Sequence, residues 1–172
     1  ISELKKYFIL ITLIILPSIF IHNTYADYEW YHLPYVNYLN HFKVVFGLVN
    51  VSNSYTYGHG WLDIIGLFSL PIVETKGLII IALIFYYFFL LYLLIEIKKT
   101  TFKSVKIFSI LLIIYSLANF NKLVDFAAYI QPSLILFILI LNVLKMLHNN
   151  NTNELFTKTV LFFFFAIILR IG

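Results

Sequence analysis

At 172 residues, with 62% of them hydrophobic, 19% aromatic and only 12% charged, the chain lies far from a soluble composition of roughly 45–50% apolar and about 25% charged. Its mean hydropathy of +0.92 identifies an integral membrane protein, and the absence of cysteine excludes disulfides, thiolate nucleophiles and Cys-ligated metals. A net charge of +4 and a pI near 9.2 would suit nucleic acid in a soluble domain; in a chain this apolar the lysines orient spans instead, and no nucleic-acid partner is expected.

Taken in chain order, apolar runs that approach the roughly 20 residues needed to cross a hydrocarbon core predict an all-α, polytopic bundle. The first run, Tyr7 to Ile21, is short; the residues after it make a poor cleavage site, so it reads as a retained signal anchor bent by Pro17. An outer loop follows over 22–76. Within it Tyr35, Tyr38, Leu39, Phe42, Val45 and Phe46 recur at helical spacing, and Pro34 suits a helix start, which predicts an amphipathic helix over 34–46 lying on the membrane surface. Gly47 ends it, Val51 to Tyr57 is a Ser/Asn/Tyr loop, a Gly-His-Gly turn occupies 58–60, and a second apolar helix runs from Trp61 to Leu70 before Pro71. Further spans are expected at 77–97, 107–118, 132–147 and 159–172, the last interrupted by the chain end. With an Ile at position 1, the whole reads as a single membrane domain truncated at both ends.

Lysines give the expected topology. Lys5, Lys6, Lys98, Lys99, Lys103, Lys106, Lys145 and Lys158 fall on one side of the spans, whereas Lys43, Lys76 and Lys122 fall on the other. By the positive-inside rule the N-terminus is cytoplasmic and loop 22–76 is periplasmic or extracellular, in a bacterial inner membrane. The outward side also collects Asp27, Glu29, Asp63, Glu74 and Asp125.

Chemistry concentrates between Asp27 and Trp61, DYEWYHLPYVNYLNHFKVVFGLVNVSNSYTYGHGW. Asp27 stands where the chain leaves the first span; an acid at the membrane edge is partly desolvated, which makes it a better base. His32 and His59 are of a type that binds phosphate as cations or hydrogen-bond donors. Trp30, Tyr31 and Trp61 offer rings that stack on a sugar or sit at the headgroup level. His41, on the polar face of the surface helix, reads as solvated. Asp27, His32, His59 and Asp63 together would make a divalent-cation site possible in principle, but no HExxH-type spacing is present, and neither a metal nor another cofactor is assigned.

The layout of one span, a large outward loop that opens on an acid and carries juxtamembrane helices, and then a run of spans resembles the GT-C superfamily of polytopic glycosyltransferases. More narrowly, Asp27-Tyr28-Glu29-Trp30-Tyr31-His32-Leu33-Pro34-Tyr35, then Phe46-Gly47-Leu48-Val49-Asn50, then Tyr57-Gly58-His59-Gly60-Trp61 resembles the N-terminal region of bacterial membrane proteins related to that superfamily. The resemblance implies a polyprenyl-phosphate-linked sugar donor, a catalytic acid at Asp27, a second acid at Glu29 (Asp125 being a weaker alternative), and substrate contacts at Tyr31, His32, Asn50, Tyr57, His59 and Trp61. An Asp-Glu pair is missing here. Two functions stay open: glycan synthesis in the cell envelope by a GT-C-like transferase, or a non-enzymatic membrane protein of polysaccharide export or flipping. Charged residues inside spans would favour transport; Glu96 and Arg170 lie near span ends, which leans toward chemistry at the outer surface.

Overall fold

The computed structural model describes residues 2–17, 28–41, 60–68, 74–120, 122, 130–148 and 152–170. Every regular element among them is helical: α1 (Ser2–Ile15), a π-helical turn (Tyr28–His32) running into α2 (Leu33–His41), α3 (Gly60–Leu67), α4 (Glu74–Lys99), α5 (Lys103–Ala118), α6 (Ile130–Met146) and α7 (Thr152–Arg170). The all-α expectation holds. Among the described residues one helix, over Ile79–Lys99 of α4, is long and apolar enough by length and composition to cross a bilayer, with α6 as a shorter apolar helix.

The helices begin earlier than the apolar runs. α5 opens on Lys103 and Ser104, and α7 on two polar turns, Thr152 to Thr159, which a search for apolar runs passes over. A Glu154–Lys158 pair supports those turns at the favourable i, i+4 spacing, and the Lys158 ammonium bonded to it holds the Glu154 carboxyl below its usual range.

Around α4 the bundle is built by short connections. Thr100 to Phe102 joins α4 to α5, with the Phe102 N–H donating to Thr100 Oγ1 at 3.2 Å; a link this short makes the two helices antiparallel neighbours. On α5 the buried residues Val105, Ser109, Leu112 and Ser116 follow a 4-3-4 spacing, a single stripe facing inward. Its two serines are small enough for close approach and satisfy themselves on their own helix: Ser109 donates to the Val105 carbonyl at 2.8 Å and Ser116 to that of Ile113 at 2.9 Å. With that proton committed, the Tyr86 hydroxyl, 3.3 Å away, donates to Ser116 Oγ. The most extensive pairing in the molecule is α6 with α7. The core collects Leu83, Tyr86, Leu90 and Leu93 from α4 and Leu134, Ile135, Ile138 and Leu141 from α6. α1 packs on α4, burying Ile11 and Ile15, with Phe8 edge-on to Tyr87 at 5.3 Å.

Outward faces are equally apolar. Phe8, Leu13, Phe88, Ile110, Ile114, Phe156 and Phe164 are all exposed large hydrophobics, an extent of apolar surface that marks an interaction face, with lipid or protein, and not one made for water.

Candidate functional site

At the end where α4 and α6 begin and α5 and α7 finish, α2 and α3 pack together. Pro34 occupies the first turn of α2, where its missing N–H costs nothing. The two helices are tied by the Tyr35 hydroxyl donating to Asp63 Oδ1 at 3.0 Å. The π-helical turn before α2, a rare form frequent at functional sites, carries Tyr31 and His32. Tyr31 stacks at an angle on His32 at 5.3 Å and on Tyr35 at 6.1 Å, and His32 is only 3% exposed. Glu29 and Trp30 project outward, Trp30 with 82% of its surface exposed. His41 is exposed, as read, its Nδ1 2.8 Å from the Asn37 carbonyl.

α3 seats this pair on the bundle. Trp61 is 2% exposed and meets Phe85 of α4 edge-on at 5.5 Å, so it is a packing anchor and not an open stacking surface. Gly60, read from sequence as part of a turn, is the first residue of α3. It is there for closeness: a Cβ on Gly60 would overlap the backbone carbonyl of Ile168 on α7, whereas one on Gly66 would rest 3.4 Å from the mobile Leu39 Cδ1. Gly60→Ala is therefore expected to destabilise the protein by about 1–3 kcal/mol, against the roughly 1 kcal/mol that alanine normally gains over glycine in a helix. Gly66→Ala should be close to neutral. Thermal unfolding of the two variants in detergent tests this, and equal melting temperatures would deny the close approach.

A second polar cluster lies at the opposite end, where α4 and α6 finish and α7 starts. The Lys145 ammonium is 2.9 Å from Glu96 Oε2, their side chains 22% and 11% exposed. One turn earlier on each helix the Tyr92 hydroxyl donates to Asn142 Oδ1 at 3.0 Å. With Lys158 these groups line a cavity of about 530 Å³. The same end holds the Phe102–His148 ring contact at 4.9 Å. Sequence reading passed over this cluster by treating Glu96 as a span-end charge. Its signal was nonetheless present: Tyr92 and Glu96 are four apart and Asn142 and Lys145 three apart, so each pair shares one helical face.

A family model described as a domain of unknown function, DUF8201, matches residues 2–171. The chain belongs to that family. No curated protein and no solved structure matches it.

In this DUF8201 chain, then, the structure brings together Tyr31 and His32 of the sequence-derived site around the α2–α3 pair, buries Trp61 beneath it, and leaves Glu29 at its surface. Asp27, Asn50, Tyr57 and His59 lie outside the described residues, as do positions 42–46 of the expected amphipathic helix. Of the four residues considered for a divalent cation, His32 and Asp63 are described; among the described residues no three His, Cys, Asp or Glu side chains converge. Asp63, which the sequence did not single out for structure, is the acceptor that joins α2 to α3.

Among the described residues the buried Trp61 indole N–H, the Tyr87 hydroxyl and both amide atoms of Gln131 carry no hydrogen bond, the last on a residue with 0% exposure at the start of α6. A buried polar group without a partner costs roughly 1–3 kcal/mol.

Proposed function

We propose that the protein is a polytopic inner-membrane protein of GT-C-like layout that transfers a sugar from a polyprenyl-phosphate carrier to an extracytoplasmic acceptor during cell-envelope glycan synthesis, with loop 22–76 facing outward. The observation that carries this reading is the pairing of α2 with α3 on the end of the bundle: loop 22–76 holds a structured platform, and its described part packs the half-buried Tyr31 against the buried His32. The apolar outward faces of α1, α4, α5 and α7 support a lipid environment for the whole bundle. In this reading Asp27, next in sequence to the π-helical turn, takes the proton from the acceptor hydroxyl. His32 and His59 hold the donor phosphate, Glu29, Asn50 and Tyr57 complete the substrate contacts, and Trp61, buried, anchors α3 beneath them.

The second reading, a non-enzymatic component of polysaccharide export or flipping, is favoured by one specific observation, the buried Glu96–Lys145 pair, because ionisable groups sheltered between spanning helices mark transport pathways more often than scaffolding. The two readings separate experimentally. Under the transferase reading Asp27→Asn abolishes glycan transfer in isolated membranes; under the export reading transfer is absent from the start and Glu96→Gln blocks appearance of polymer outside the cell.

Both readings share a topology, and it has its own test. A cysteine introduced by Ser54→Cys in this cysteine-free chain should react with a membrane-impermeant maleimide in intact cells. Labelling only after permeabilisation would place loop 22–76 in the cytoplasm and remove the outward-facing transferase.

A further inference from the structure

The cavity around Lys145 and Lys158 does not end at its polar wall. A second, apolar groove of about 730 Å³ runs along α4 between α6 and α7 as far as Trp61, and the two share Tyr92, Phe162 and Phe165 as lining residues. The two cavities therefore abut at these three side chains, one a charged mouth and the other an oily groove. Each part is within the roughly 300–1,000 Å³ typical of ligand sites.

Charge at the mouth selects the head that fits. Two lysines and one glutamate line it, and Glu96 is already matched by Lys145 at 2.9 Å. Among the described residues Lys158 pairs with Glu154, one turn away on its own helix, with side-chain exposures of 54% for the lysine and 67% for the glutamate. Exposed i, i+4 pairs of this kind contribute little, so Lys158 exchanges Glu154 for a better-placed anion at little cost. Tyr92 and Asn142 stand behind it with hydrogen-bonding groups. A free anion would leave the groove beyond it unfilled, and a choline-type head would bring a further cation beside two lysines.

We propose that this cleft binds one membrane lipid with a phosphate head, the phosphate held by Lys158 with support from Lys145, and the chain lying in the groove toward Trp61. The charged mouth is at the opposite end of the bundle from the α2–α3 platform, the groove reaching α3 only at its far end, and the inference stands whether or not the protein transfers sugar.

Trp61 gives the readout, since it lines the deep end of the groove and the sequence has only one other tryptophan, the exposed Trp30. Full chain carrying Trp30→Phe is purified in dodecyl maltoside and titrated with phosphatidic acid brominated in its chains, or with equally brominated phosphatidylcholine. The expected result is saturable quenching of Trp61 at a lower mole fraction for phosphatidic acid. Adding Lys158→Gln, a change at an exposed position, should raise the phosphatidic acid mole fraction for half-quenching about fivefold, the effect of one lysine near a lipid phosphate, while leaving phosphatidylcholine unchanged. Equal quenching by the two lipids, or indifference to Lys158→Gln, overturns the proposal. So does relief of quenching by millimolar inorganic phosphate with no dependence on the lipid head, which would mean a free-anion site. Cross-linking of a Leu161→Cys variant to a second copy in place of quenching would overturn it as well, the groove then being a contact between copies.

Discussion

Full-length protein carrying Asp27→Asn is expected to insert normally and to lose glycan transfer by roughly 10²–10⁴-fold, the usual worth of general base catalysis. The substitution keeps the size of the side chain and its ability to hydrogen-bond but removes its capacity to accept a proton, so a structural role for Asp27 predicts little change and a chemical role predicts this loss in kcat. His32 should behave differently. A contact to the donor phosphate made equally in the ground and transition states raises KM and leaves kcat nearly constant. Because His32 is buried against Tyr31, the informative change is His32→Gln, which keeps most of the volume; His32→Ala would mix lost packing with lost binding. The comparison is made on membranes from cells expressing each variant, with transfer measured against donor concentration at matched protein levels. Full activity in Asp27→Asn together with none in Asp125→Asn would move the acid to the second outward loop.

Much of the fold was legible because an apolar run marks a helix here whether its side chains turn inward or outward. The apolar runs at 77–97 and 107–118 lie within α4 and α5, and the run at 132–147 lies on α6 but for its last residue. What that reading misjudged were helix starts, since Lys103 on α5 and Asn153, Glu154 and Lys158 on α7 are as helical as the apolar residues that follow yet contribute nothing to an apolar run. Within loop 22–76 Pro34 and the spacing of Tyr35 and Tyr38 mark α2. The π-helical turn before it was not legible, because its i→i+5 winding leaves no period that side-chain type encodes.

The site was less legible than the fold, for a different physical reason. Tyr35 and Asp63 are 28 residues apart and Tyr92 and Asn142 are 50 apart; a bond between helices depends on rotation about two axes, and sequence spacing fixes only which residues share a face. Trp61 illustrates the ambiguity of type. An indole near a predicted membrane edge fits a sugar platform, an interface belt or a core anchor equally well, and only its contact with Phe85 assigns it to the last. Gly60 shows the converse: a turn accounts for its residue type, but the backbone of α7 lying against it is what requires glycine.

The buried ion pair yields the largest stability effect expected. Lys145→Met should destabilise the protein by about 3 kcal/mol, the lower end of the range for removing one partner of a buried pair because Lys145 keeps some exposure. The methionine fills the volume of the lysine stem, so the cost reports the uncompensated Glu96 carboxylate and not a cavity. Glu96→Gln alone should cost less: the amide still accepts a hydrogen bond from Lys145, whose long stem can carry its ammonium toward the open side of the cleft. The double variant Glu96→Gln/Lys145→Met should recover most of the loss, since a buried pair replaced on both sides by neutral groups is often no less stable than the pair itself. Thermal unfolding of the four proteins in one detergent at one concentration closes the cycle. A coupling near zero, with Lys145→Met as stable as the parent, would mean that both charges reach water and that the pair is a surface contact; a strong coupling would establish that α4 and α6 are locked together at the lysine-rich end, leaving Lys158 on α7 as the cation free to exchange its partner.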